Sequence, residues 1–233
     1  MKILAIASDR MEFPGILSRA ERTSRVGLGI GWAQTAFLGG NELLLAANGA
    51  GAGHASALVD RALPVFKADT VVSFGFCGAV RPDLGVGQLV VASAVATADR
   101  EYPVWPVTSG TGRPVHTGVV RTVDHVVQTA EEKARLRETG ASVVEMEAAG
   151  VAERASAHRL PFWCVKSVTD LGNETLANDY NRALREDGHF DTIVLLRGTL
   201  RQPFVRTREL LRLRERCVQA AGMLGDFFAN LRF

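Results

Sequence analysis

The stretch Val143-Val144-Glu145-Met146-Glu147-Ala148-Ala149-Gly150 sets two acids on either side of one methionine. The valines read as the end of a buried strand and Ala148 to His158 as a helix, so the acids fall at a strand-to-helix junction. Open α/β sheets place their ligand sites at such junctions. A carboxylate there accepts two hydrogen bonds from vicinal hydroxyls, such as those of a ribose. The competing reading is that Glu145 and Glu147 only favour the helix N-terminus through its dipole. A third acid closes a later strand-like run, Leu160 to Val168, which ends on Thr169-Asp170. A glutamate at one strand end and an aspartate at another can converge on one pocket. Glu12 lies just beyond a first apolar run, Ile3 to Ala7, where the default for a lone glutamate is a solvated first-turn acid.

These groups need a scaffold, and the chain supplies a regular one. Ile3 to Ala7, Leu43 to Ala47, Asp69 to Gly75 and Gln88 to Ala96 read as strands, with Gly39-Gly40 as a hairpin turn. The glycine-rich Asn48 to His54 opens onto a helix from Ala55 to Phe66. Such a turn presents backbone N–H groups to an anion or a ribose, or simply allows close packing. It lacks the Gly-Lys-Ser/Thr ending of a P-loop. Asp99 to Thr117 reads as a long loop, Val119 to Val127 as a strand, Thr129 to Glu138 and Leu176 to Glu186 as helices. From Ile193 the spacing is helical, broken in two by Pro203. Arg206, Arg208, Arg212, Arg214 and Arg216 mark a solvated face, with a membrane or anionic partner as the lesser reading.

With 233 residues, 47% of them hydrophobic, one domain with a full core is the simplest organisation. A formal charge of +2 gives no global field for nucleic acid. Cys77, Cys164 and Cys217 lack metal-ligand spacing and read as reduced thiols of a cytoplasmic protein. No apolar run is long enough to span a membrane, and no cofactor or metal motif is present.

Glu145-Met146-Glu147-Ala148-Ala149, Leu160-Pro161-Phe162 and Ser167-Val168-Thr169-Asp170 together resemble the purine nucleoside phosphorylase and nucleosidase superfamily. The resemblance implies an α/β fold of one domain over residues 1–233, with a mixed, twisted central sheet flanked by helices, acting as a homo-oligomer, a dimer or larger. It implies cleavage of the N-glycosidic bond of a purine nucleoside, with Asp170 protonating the leaving base, Glu147 anchoring ribose and Glu12 activating water. An unperturbed aspartate is ionised at neutral pH, so that role needs burial or a hydrogen bond at Asp170. Gly75-Phe76-Cys77-Gly78 matches an element that lies along base and ribose; His125, Val126 and Val127 would pass beneath the purine, and Met146, Glu145 and Phe162 would line the site. Lys166 stands where the superfamily generally has an arginine, and would order Glu12 and water as a point charge.

Phosphorylases resembling this chain commonly have a serine at Phe76 and often an arginine at Ser73 to grip phosphate. Both are absent, and an aromatic ring supplies no donors to a buried dianion. Hydrolysis, releasing free adenine-type base, is therefore the expected reaction. Phosphorolysis stays open, because Ser73-Phe74-Gly75, Thr139-Gly140-Ala141 and Leu184 to Gly188 also resemble hopanoid-associated phosphorylases, thought to act on an adenosyl lipid. A nucleoside-binding protein without turnover is the third reading, kept by Phe76 and Lys166.

Overall fold

A computed structural model describes residues 1–200 and 202–232. The strands in chain order are β1 (Lys2–Ala7), β2 (Arg22–Arg25), β3 (Trp32–Leu38), β4 (Asn41–Ala47), β5 (Thr70–Ala79), β6 (Leu89–Ala96), β7 (Glu101–Pro103), β8 (Thr108–Ser109), β9 (Val115–Thr122), β10 (Ala141–Glu145), β11 (Phe162–Asp170) and β12 (Leu231–Arg232). The helices are α1 (Pro14–Leu17), α2 (Ala52–Ala62), α3 (Ala130–Glu138), α4 (Ala148–Ala157), α5 (Tyr180–Ala183), α6 (Thr192–Thr199) and α7 (Pro203–Ala229).

The main sheet runs β10-β9-β6-β11-β5-β1-β4-β3-β2, with β7 beside β6. It is mixed: β5 is parallel to β1 and β11, whereas β11 is antiparallel to β6. β10 also pairs with β5, so one end of the sheet curls back on itself. That closure brings the ends of β5, β10 and β11 to one place. β5 and β11 are buried along nearly their whole length because helices cover both faces, which is why they read as continuous apolar runs. β3 and β4 form the expected hairpin, with both turn glycines at positive φ (Gly39 56°, Gly40 77°).

α7 lies across β5 and β11 through an aromatic chain. Phe13 stacks on Phe74 (5.1 Å between ring centres), Phe74 meets Phe228 edge-on (5.1 Å), and Phe228 stacks on Trp163 (5.4 Å). Each such side chain contributes roughly 1.5–3 kcal/mol by burial. α1 and α7 cross where a Cβ on Gly15 would sit 1.9 Å from the carbonyl oxygen of Ala221. No side chain larger than hydrogen fits there.

Some elements differ from the sequence expectation. The long loop 99–117 contains β7, β8 and the start of β9, because short exposed strands carry little apolar pattern. β9 ends at Thr122, leaving Asp124 and His125 in the following loop rather than inside a strand. Of the helix expected over 176–186, only Tyr180–Ala183 forms. Leu176 N–H instead bonds to Gln128 O (2.8 Å), and the amides of Ala177 and Asn178 turn to Glu209 (2.5 and 2.9 Å). Tertiary partners there replace helical ones. Pro203 opens α7 at its first position, where its missing N–H leaves no intrahelical bond unmade.

Candidate active site

Glu12 sits in a capping box with Asp9 on a single 3₁₀ turn after β1. It is 4% exposed, not the solvated first-turn acid that its isolation in sequence suggests. Its carboxylate accepts from Ser8 N–H (2.9 Å), Ser8 Oγ (3.3 Å), Asp9 N–H (3.3 Å) and Phe76 N–H (3.0 Å). Burial pushes its pKa up, against the opposing pull of the Lys166 charge and these backbone donors. A carboxylate so poised takes a proton near neutral pH more readily than an exposed one. It lies hard against Gly75, whose φ is 133° and where a Cβ would be 2.6 Å from Glu12 Oε1.

Glu145 and Glu147 do different things. Glu145, the last residue of β10, accepts from Thr122 Oγ1 (2.6 Å) and from the N–H groups of Glu147 (3.0 Å) and Ala148 (2.8 Å) at the start of α4. Lys166 Nζ lies 2.8 Å from Oε2, the oxygen that takes those two N–H groups. Glu145 thus anchors the helix start, in line with the dipole reading of the pair. Glu147 is also buried but sparsely held: Gly51 N–H donates to it at 3.1 Å and Lys166 Nζ is 3.9 Å away. Burial foremost, then the charges of Glu145 and Glu12, raise its pKa to about 8. Its remaining lone pairs are open to hydroxyl donors. The glycine-rich turn therefore presents an N–H to Glu147, and His54 at its end is tied to Glu186 O (3.0 Å).

Lys166 is 1% exposed. Its ammonium goes to Glu145, with Phe74 O at 3.5 Å, and acts on Glu12 only through its field. Its direct contact is with Glu145, while toward Glu12 it is a point charge. The two carboxylates beside it raise the lysine's pKa despite burial, with Glu145 the larger influence.

Asp170, the last residue of β11, is paired with Lys133 of α3: Nζ lies 2.6 Å from Oδ2, and the same ammonium donates to Leu171 O at 2.7 Å. Thr169 Oγ1 approaches Oδ1 at 3.3 Å. The Lys133 side chain is wholly buried and that of Asp170 is 16% exposed. Gly78 faces this carboxylate so closely that a Cβ would lie 2.7 Å from Oδ2. The segment Gly75–Gly78 thus touches Glu12 at one end and Asp170 at the other.

The remaining residues divide. Phe76 is half-buried, with its N–H given to Glu12; Ser73 is fully buried and Cys77 nearly so, its thiol held neutral by burial. Met146 is half-buried between the two acids. His125 lies between Asp124 (2.7 Å) and Glu132 (2.6 Å), which raise its pKa, and Val126 is bound through both backbone groups to Asn181 (2.7 and 2.9 Å). Val127 is packed with Val80, Ala141 and Val144 in a small core cluster, so its side chain is not free to lie under a ligand. Phe162 is a correction. It begins β11 inside the main core, eight residues from Asp170, roughly 26 Å along an extended strand. Proximity in a motif does not survive a strand's length.

Three supporting residues escaped the sequence reading: Ser8 on Glu12, Thr122 between Glu145 and Ala149 N–H (3.0 Å), and Lys133. The only signal for Lys133 was indirect, a helix with almost no apolar residues that must nevertheless bury something. Among the described residues no group of three or more His, Cys, Asp or Glu is placed to hold a metal ion.

Comparison with known proteins gives the family and the fold. A 5'-methylthioadenosine/S-adenosylhomocysteine nucleosidase of Staphylococcus aureus is 24% identical over 166 residues, covering 60% of this chain and 73% of its own. An S-adenosylhomocysteine nucleosidase of Streptococcus pyogenes shares the fold at a TM-score of 0.74 and 19% identity, covering 100% of this chain and 98% of that one. The futalosine hydrolase of Helicobacter pylori shares it at 0.70 and 19%, with 97% of each chain covered. Residues 30–107 and 106–193 match the sequence pattern of the phosphorylase superfamily, and the chain belongs to that superfamily.

Proposed function

We propose that this protein hydrolyses the N-glycosidic bond of a purine nucleoside, with adenine as the base. The observation that carries the reading is the Gly75–Gly78 segment, with Glu12 against one end and Asp170 against the other. Four extended residues span about 10 Å, room for a sugar and a base to lie along them. Glu147 takes the ribose hydroxyls on its unfilled lone pairs. The nucleosidases and the hydrolase with which the chain shares its fold support this class of reaction.

Bond cleavage leaves positive charge on the sugar and negative charge on the base. The base accepts a proton at N7 from Asp170, which Lys133 supplies in turn through the 2.6 Å contact. Glu12 receives the proton that water loses as its oxygen joins the anomeric carbon. Proton transfer of this kind is worth roughly 100- to 10,000-fold in rate. Lys166 fixes Glu145 and hence the start of α4, on which Glu147 is carried.

Water rather than phosphate is the nucleophile in this proposal. Phe76 gives its N–H to Glu12, and the Ser73 hydroxyl is wholly buried, out of reach of an entering dianion. Two negative groups about 4 Å apart also oppose each other by roughly 4 kcal/mol at an effective dielectric of 20. The test is the sugar product formed from an adenine nucleoside as phosphate is raised from none to saturating. Free ribose throughout is expected; ribose 1-phosphate replacing it would overturn the reading in favour of phosphorolysis.

A further inference from the structure

Asp170 sits where β11 slips its register. The ladder to β5 shifts between Val168 and Asp170, so Thr169 is an extra residue on the β11 side and Asp170 comes opposite Gly78. A bulge of this kind re-aims a side chain and disrupts the ladder locally. An acid that delivers a proton must nevertheless be placed closely, since a misplacement of about 1 Å can cost roughly 100-fold in rate. The two peptide groups on either side of Asp170 therefore need partners beyond the strand.

One arginine and one glutamate supply them, and neither belongs to the carboxylate cluster. Arg216 Nη1, on α7, donates at 3.3 Å to Thr169 O, the carbonyl of the peptide before Asp170. The same nitrogen donates to Glu174 Oε2 at 2.7 Å. That oxygen also accepts, at 3.3 Å, from Leu171 N–H, the amide of the peptide after Asp170. Carbonyl, guanidinium, carboxylate and amide thus form one ring around the Asp170 backbone. The side chains of Arg216 and Glu174 are only 15% and 12% exposed, so solvent ions screen the pair weakly. Burial pushes the Glu174 pKa up, but the bonds from Arg216 and Leu171 and the charges of Arg216 and Arg212 outweigh it and hold the group below its ordinary value. Arg212, one turn earlier, donates to the other oxygen of Glu174 at 2.5 Å, with its side chain 46% exposed. Among the described residues it has no bond to either peptide flanking Asp170.

We propose that Arg216 and Glu174 form a positioning clamp for Asp170, fixing the direction in which its carboxyl leaves β11 toward Gly78 and the leaving base. Lys133 completes the hold by donating to Leu171 O at 2.7 Å. What Asp170 does rests on the hydrolytic reading; how its backbone is held does not. Neither clamp residue touches the nucleoside. Loss of the clamp therefore shows in kcat rather than in KM, because Glu147 and the Gly75–Gly78 segment still take the substrate while the acid meets the base out of line. The segment after Asp170 stays attached without the clamp, since Glu209 takes the amides of Ala177 and Asn178 and Gln128 Oε1 takes that of Tyr180.

The experiment compares Arg216→Met and Arg212→Met with the unmutated chain by base release from an adenine nucleoside, by melting temperature and by crystal structure. Arg216→Met is expected to lower kcat roughly 10- to 100-fold while KM changes by less than about threefold. Its crystal structure should show the Asp170 carboxyl displaced from Lys133 Nζ. Arg212→Met strips Glu174 of an ion pair but leaves both flanking peptides bound, and should keep kcat within about threefold of the unmutated rate while losing a comparable amount of melting temperature. A purely structural pair would move the melting temperature in both variants and split neither kcat from KM nor one variant from the other. Unchanged kcat in Arg216→Met, or equal losses of kcat in the two variants, overturns the proposal. Absence of base release from the unmutated chain would sink the hydrolytic reading instead. The crystal structures then decide the clamp alone, and an Asp170 carboxyl that keeps its place in Arg216→Met overturns it.

Discussion

Lys133 Nζ lies 2.6 Å from Asp170 Oδ2, and no part of the lysine side chain reaches solvent. The contact ties α3 to the end of β11 and puts a second proton-bearing group directly behind the residue assigned to the leaving base. Removing one partner of a buried pair typically costs about 3–5 kcal/mol. Asp170 keeps some exposure, so the lower end applies when the lysine is removed. Lys133→Met is expected to lower stability by about 3 kcal/mol and to reduce kcat at least tenfold under conditions where the variant is folded. Turnover at the native rate in a folded Lys133→Met sample would exclude Lys133 as the proton source.

Asp170→Asn has the opposite asymmetry, since it strands a wholly buried ammonium beside a neutral amide. We expect base release to fall by roughly 100- to 10,000-fold, together with a clear drop in melting temperature. The double variant Asp170→Asn/Lys133→Met should regain much of the stability while staying inactive. That split, read by calorimetry and by base release on the same samples, separates the proton-transfer role from the structural one.

Gly75→Ala tests how closely Glu12 is held. The residue has φ 133° and a Cβ there would lie 2.6 Å from Glu12 Oε1. Strain at such a backbone position costs of order 1–3 kcal/mol, and the carboxylate must shift from its four donors. The expected result is lower stability and a kcat reduced more than tenfold, with KM changed far less. A variant with unaltered kcat would show that Glu12 does not take the proton from water.

The sheet and most helices were legible because continuous apolar runs, the Gly39-Gly40 turn and Pro203 each have one structural meaning. The carboxylates were legible as residues, but not their environments. Glu12 looked solvated because its burial comes from β5, where Phe76, 64 positions further along the chain, offers its N–H. Lys133 lay unseen on a polar helix because an ion pair leaves no hydrophobic trace. Phe162 was drawn into the site by its place in a motif, whereas a strand carries it to the far end of the core. The 176–186 segment carried helical spacing, yet Glu209 on α7 competes for its amides.

Glu147→Gln should weaken nucleoside binding while sparing free purine, since only the sugar touches this residue in the proposed reaction. Above pH 8, where Glu147 carries its charge, hydrogen bonds to it as a charged acceptor are worth roughly 1.5–3 kcal/mol, so KM for a nucleoside measured there should rise by about ten- to a hundredfold. A 2'-deoxynucleoside should already show part of that loss with the unmutated protein. Equal kcat/KM for ribo- and deoxyribonucleosides would remove Glu147 as the ribose anchor.

The raised pKa of Glu147 also has a consequence for stability that needs no substrate. Its ordinary value is 4.5 and its folded value about 8. Below 4.5 both folded and unfolded chains carry the proton and the group is neutral in the balance. Between 4.5 and about 8 the unfolded chain has released the proton and the folded chain has not, so rising pH favours unfolding. Above that window the penalty is constant. Glu12, raised in the same direction by burial, adds to the slope, while Lys166 stays charged throughout. Denaturant titrations from pH 5 to 9 should therefore show stability falling toward alkaline pH, and Glu147→Gln should flatten the curve because an amide releases no proton. A Glu147→Gln curve parallel to the native one would mean that Glu147 is ionised in the folded protein across this range, and that Glu12 alone carries the slope.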